Sequence, residues 1–129
     1  MQDHGRIIPL THKPYEPERH IQVYAGFVLE PDKTLSAEVS QIVAGIRRNS
    51  GGRLELRGRT KLLLDGVTAE RVIVRYYETK TKKWGIEDLV EALQGGVEYT
   101  LYLKTPENSY EHDRAAFDSF VQSFKFSRK

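Results

Sequence analysis

The chain reads as one α+β domain. Three observations predict this class. Apolar residues recur at helical spacing over 35–46, alternation of period two marks 53–57, 72–77 and 97–104, and a second helical stripe, mostly aromatic, closes the chain at 117–124. At 129 residues the length suits a single domain. Such a chain buries roughly two-thirds of its unfolded surface and needs no covalent staple.

The first 19 residues hold Pro9, Pro14 and Pro17, three of the five prolines. Proline breaks regular elements, so residues 1–19 are expected to be an extended arm. Ile21, Val23, Tyr24, Phe27 and Val28 then favour a strand, with Gly26 marking a bulge or a close approach. Pro31-Asp32 ends it. Leu35, Val39, Ile42, Val43 and Ile46 form one apolar stripe of a helix. Thr34 stands at its N-cap, Glu38 near its positive end, and Arg47 and Arg48 in its last turn, before Asn49-Ser50-Gly51-Gly52 stops it.

Arg53 to Arg57 alternates as a half-buried strand does, and Leu62-Leu63-Leu64 runs into the hairpin turn signal Asp65-Gly66. Val72, Val74 and Tyr76 share one face of the next strand, and Ile73, Arg75 and Tyr77 the other. Lys80 to Lys83 reads as an exposed turn. Residues 84–94 fit two patterns. Ile86, Leu89, Val90 and Leu93 have helical spacing, with Gly95 as a stop. The same residues fit a strand whose two-residue turn is Gly95-Gly96, pairing Ala92 with Tyr99 and Val90 with Leu101. Val97, Tyr99, Leu101 and Leu103 form a strand that Pro106 ends. A last helix from about Ser109 carries Phe117, Phe120, Val121 and Phe124 on one face.

Composition excludes several functions. Without cysteine there are no disulfides, thiolate metal sites or cysteine nucleophiles. The balance of 20 Lys+Arg against 18 Asp+Glu, a net +2, argues against a nucleic-acid binder. No apolar stretch approaches the roughly 20 residues of a membrane helix. The N-terminus lacks the basic and apolar regions of a signal peptide. A cytoplasmic location is expected if the chain is complete, and an extracytoplasmic one if a targeting segment has been removed.

Chemistry-bearing motifs are also missing. His4, His12, His20 and His112 have no helical metal-site spacing, and no calcium loop is present. No nucleophile elbow or phosphate loop occurs. Glu107, Glu111 and Asp113 precede or open the last helix, where its dipole favours them. No catalytic residue, metal ligand or cofactor is therefore expected. Arg53, Arg57, Arg59 and Lys61 share strand parity, and could line one basic face for an acidic partner. A charge-protected sheet face is the plainer account. Trp84, the single tryptophan, follows Lys82 and Lys83 and is a second candidate contact, or a half-buried anchor.

The run Val97-Glu98-Tyr99-Thr100-Leu101-Tyr102-Leu103, followed by a polar loop and Phe117-Asp118-Ser119-Phe120-Val121-Gln122-Ser123-Phe124-Lys125-Phe126, resembles the ending of PsbP-like proteins. Leu63 to Val72 is similar to that family's hairpin, and Thr34-Leu35-Ser36 to its helix start. The likeness spans about residues 20–126. It implies an α/β/α sandwich, a central antiparallel sheet with helices on both faces, and it makes residues 84–94 a strand. The family's opening strand and Pro-Gly-Trp-like turn have no counterpart. Residues 20–129 are thus expected to form one domain that lacks the first hairpin, or in which residues 1–19 replace it.

The family includes an extrinsic photosystem II subunit, a Ran-binding transport factor, bacterial lipoproteins and secretion chaperones. What they share is binding another protein rather than a chemistry. A non-catalytic protein-binding or accessory domain is therefore the leading expectation. An anionic-surface binder, for nucleic acid or lipid, is the alternative, and an enzyme ranks third.

Overall fold

The computed structural model describes residues 6–9, 19–27 and 32–126. In chain order the elements are β1 (Arg6–Pro9), β2 (His20–Phe27), α1 (Leu35–Asn49), β3 (Leu54–Leu64), β4 (Val67–Glu78), β5 (Lys83–Gln94), β6 (Val97–Pro106), a 3-10 turn (Glu107–Ser109) and α2 (Tyr110–Ser123). The six strands form one sheet in the order β1-β2-β6-β5-β4-β3. Every neighbouring pair is antiparallel. Within the segment expected to be an arm, Arg6–Pro9 pairs with Val23–His20 and supplies an edge strand.

Residues 84–94 are strand. Ala92 pairs with Tyr99 and Val90 with Leu101, and Gly95 and Gly96 turn the chain at φ 61° and 75°. Positive φ at both central positions suits glycine and the tight hairpin. The helical spacing of Ile86, Leu89, Val90 and Leu93 arises because a central strand is buried on both faces, so its apolar residues need not alternate. Ile86 and Val90 pack towards α2, whereas Leu89 packs towards α1.

The helices cover opposite faces. Val39 of α1 is wholly buried against Val72, Val74 and Leu89, flanked by Leu35, Ile42, Val43 and Ile46. The Thr34 hydroxyl accepts from the Ala37 amide at 3.1 Å and so caps α1. On the other face Phe117 and Val121 of α2 pack with Ile21, Ile86, Leu101 and Leu103. Phe120 and Phe124 are half-buried at the rim of that core, and Phe126, beyond the helix, is buried in it.

Polar bonds join α2 to the sheet within this layer. Asp88 is fully buried and receives Arg71 through two bonds, at 2.8 and 2.6 Å, and the Tyr110 hydroxyl at 2.9 Å. Arg71 also reaches Asp118 of α2 at 2.8 Å. A buried charge is tolerated only when paired in this way.

The register of β3 slips between Leu56 and Gly58. Leu56 pairs with Val74 and Gly58 with Ile73, which leaves Arg57 opposite no residue. Such a bulge reverses which side chains face which layer beyond it.

Candidate functional site

One end of the sheet carries a cleft of about 580 Å³. Its lining includes Tyr76 of β4, Lys83, Trp84 and Gly85 of β5, and Lys104 and Pro106 of β6. In register, Gly85 lies between Tyr76 and Pro106. The absence of a side chain at Gly85 makes room for Tyr76, whose hydroxyl would stand 3.0 Å from a Cβ there. Burial, with Glu87 and Glu78 nearby, raises the pKa of that hydroxyl, so it stays protonated.

Trp84 is fixed by its neighbours. The Arg75 guanidinium lies 3.9 Å from its ring centroid, and Tyr77 meets it edge-on at 5.5 Å. Arg53 stacks on Tyr77 at 3.8 Å. Arg75 is held in turn by Glu107, at 2.5 and 3.2 Å, and this pairing keeps the Glu107 carboxyl below its ordinary value. At the cleft floor Thr105 donates to Asp113 at 2.6 Å, and Asp113 accepts two bonds from Arg19 at 2.8 and 2.7 Å. Glu107 and Asp113 are thus anchors of the sheet end, beyond the dipole role their positions predict.

Of the residues singled out by sequence, Lys83 and Trp84 meet in this cleft, and Lys82 lies exposed in the turn before it at φ 58°. Among the described residues, neither Lys83 nor Lys104 closes an ion pair within 4 Å. Arg53, Arg57, Arg59 and Lys61 do not share a face, because the bulge divides them. Arg53 and Arg57 lie on the α2 side, where Arg57 bonds Glu55 at 2.9 Å and Glu107 at 3.4 Å. Arg59 lies on the α1 side, bonding Glu70 and reaching Ser36 and Ser40 at 2.9 to 3.1 Å. Lys61 follows it there, opposite Glu70. Counting parity through residue 57 fails for this reason.

His4 and His12 lie outside the described residues. His20 is buried on β2 and His112 is exposed on α2.

Sequence reasoning missed a second cluster. Glu38 of α1, Glu91 of β5 and Glu98 of β6 each bring a carboxylate oxygen within 4.8 Å of the others. Burial and Glu98 push the Glu91 carboxyl well above its ordinary value. Burial also raises Glu38, helped by Glu98 and opposed by Lys33. The hairpin register pairs Leu93 with Glu98 and Glu91 with Thr100, so Glu91 and Glu98 are diagonal neighbours legible from the turn alone. Nothing in the spacing of Glu38 shows that α1 delivers it to the same place.

By sequence, no family model and no curated protein matches the chain. Solved structures match at low identity. PA94, a protein of unknown function from Pseudomonas aeruginosa, superposes with a TM-score of 0.74 at 12% identity, over 100% of this chain and 86% of its own. The cyanobacterial PsbP protein CyanoP from Synechocystis sp. PCC 6803 gives 0.61 at 18%, over 87% and 69%. LpqN, involved in cell envelope biogenesis of Mycobacterium tuberculosis, gives 0.55 at 14%, over 95% and 77%. Likeness at such identity establishes architecture only. The chain has the PsbP-like fold. Among the described residues no helix is long and apolar enough to cross a membrane.

Proposed function

We propose that this PsbP-like domain is a non-catalytic accessory domain that binds another protein, and that the cleft at Trp84 receives an acidic, partly apolar segment of it. The carrying observation is the cleft itself. It is concave, Tyr76 and Trp84 stand in its lining, and so do two ammonium groups, Lys83 and Lys104, without an ion-pair partner among the described residues. Aromatic and cationic groups around a concavity favour an acidic segment that also buries apolar surface.

Reactive arrangements nearby are engaged elsewhere. Thr105 beside Asp113 resembles a base-activated hydroxyl, but Thr105 is 1% exposed and Asp113 is already held by Arg19. The pair is taken up by these structural bonds. The alternative of a broad anionic-surface binder loses support, because the four basic residues that argued for it fall on two faces.

A photo-crosslinking residue in place of Lys83 is the direct test, in cells that make the protein. The expected result is one discrete protein adduct, weakened when Lys104 is changed to Glu. The same probe at Gln122, exposed on α2, should give none. Equal labelling from both positions, or adducts only with nucleic acid or lipid, would refute the assignment.

A further inference from the structure

We propose that Glu38, Glu91 and Glu98 form a binding site for one hard divalent cation where α1 crosses the β5–β6 hairpin. Three carboxylates from three elements place oxygens within 4.8 Å of one another. Oxygens bound to a calcium ion at about 2.3–2.6 Å span at most roughly this distance from side to side. An all-oxygen donor set selects calcium, magnesium or manganese over softer metals. The site is independent of the Trp84 cleft, and it runs against the sequence expectation of no metal ligand.

Acidic residues often gather without a metal. The independent observation here is the state of Glu91. It is 0% exposed, and its Oε2 reaches no hydrogen-bond donor. Its Oε1 accepts from the Thr100 hydroxyl at 2.5 Å, which fixes the orientation of the group and leaves Oε2 unpartnered. Buried polar atoms are satisfied almost without exception, so an orphaned oxygen on a buried carboxylate that clusters with two others calls for a positive ligand. Lys33 supplies only part of it. Its ammonium lies 3.5 Å from Glu38 Oε2, and it also bonds Gln41. With all three carboxylates ionised, they and the one ammonium carry a double negative charge, which a divalent ion would neutralise as it displaces any proton.

The competing occupant is a proton shared between Glu91 and Glu98. The two differ in response to metal. After treatment with chelator, the whole chain is titrated with Mn²⁺ at neutral pH, and loss of the free-ion electron paramagnetic resonance signal is followed, with Ca²⁺ as competitor. One Mn²⁺ per chain is expected, displaced by Ca²⁺, with a rise in melting temperature that chelator reverses. Glu91→Gln and Glu98→Gln should each weaken binding at least about tenfold, while Glu111→Gln, on the exposed face of α2, should not. Glu98→Gln keeps the test valid should Glu91→Gln fail to fold. No Mn²⁺ uptake at millimolar concentration, or uptake unchanged in Glu98→Gln, overturns the proposal. So does a Glu91→Gln variant that is more stable than a cation-insensitive parent, the mark of a shared proton.

Discussion

Phe117 and Phe120 show how burial, more than residue type, sets what a side chain contributes. Both belong to the aromatic stripe of α2, but Phe117 is 0% exposed and Phe120 is half-buried at the core rim. Phe117→Ala should cost ~3–5 kcal/mol in urea melts, and Phe120→Ala clearly less. Equal losses would show that the helix is rotated from the position described. Glu87 makes a pH-dependent contribution. Burial raises its pKa above the ordinary 4.5, opposed by Lys104 across the strand pair. A raised folded-state value means that the stabilisation is complete below about 4.5 and is lost as pH climbs through the folded value. Glu87→Gln, neutral throughout, should therefore gain on the parent as pH rises. Melting both proteins between about pH 4 and pH 8 checks this; a constant gap would show that Glu87 titrates normally.

At the scale of elements, local signals were legible where they needed no partner. The stripe of α1 and its Thr34 cap read directly from spacing, and Thr34→Ala should cost about 1 kcal/mol of stability by thermal melts. The β5–β6 hairpin was legible down to its pairs, because Gly95-Gly96 and the alternation after Val97 fix one register. Whether residues 84–94 were helix or strand needed the family likeness, since a strand buried on both faces loses its period. The bulge in β3 was not legible. Gly58 marks it, but a glycine inside a strand does not say that the register slips there. That one unpaired position sends Arg57 and Arg59 to opposite layers. Deleting Arg57 should restore continuous pairing and rotate one half of β3, exposing Leu54 or burying charge; a sharp fall in melting temperature is expected. The carboxylate cluster was half legible. Glu91 and Glu98 follow from the hairpin, whereas Glu38 requires the docking of α1, a tertiary fact that its helix pattern does not carry.

For the whole molecule, sheet order ranks the strands by protection. β2, β4, β5 and β6 are interior strands, β5 and β6 lying furthest from the edges, while β3 and β1 are edges. Amide exchange should be slowest in Val90, Leu101 and Leu103 and much faster along β3, whose Leu56 and Leu63 are exposed. Uniform rates across the sheet would contradict this architecture. The β2–β6 pairing has a different consequence, for the chain during its synthesis. Phe27 pairs with Val97 and His20 with Lys104, so a strand made near the beginning must wait for one made near the end. The four strands from Leu54 to Pro106 form a consecutive meander and can assemble as they emerge. β2 cannot join until the last of them is outside the ribosome. At roughly 5–20 residues per second this leaves its β6-facing edge unpaired for several seconds. A stalled nascent chain ending shortly after Gln94 should hold β2 open to protease. Release of the segment through α2 should close it.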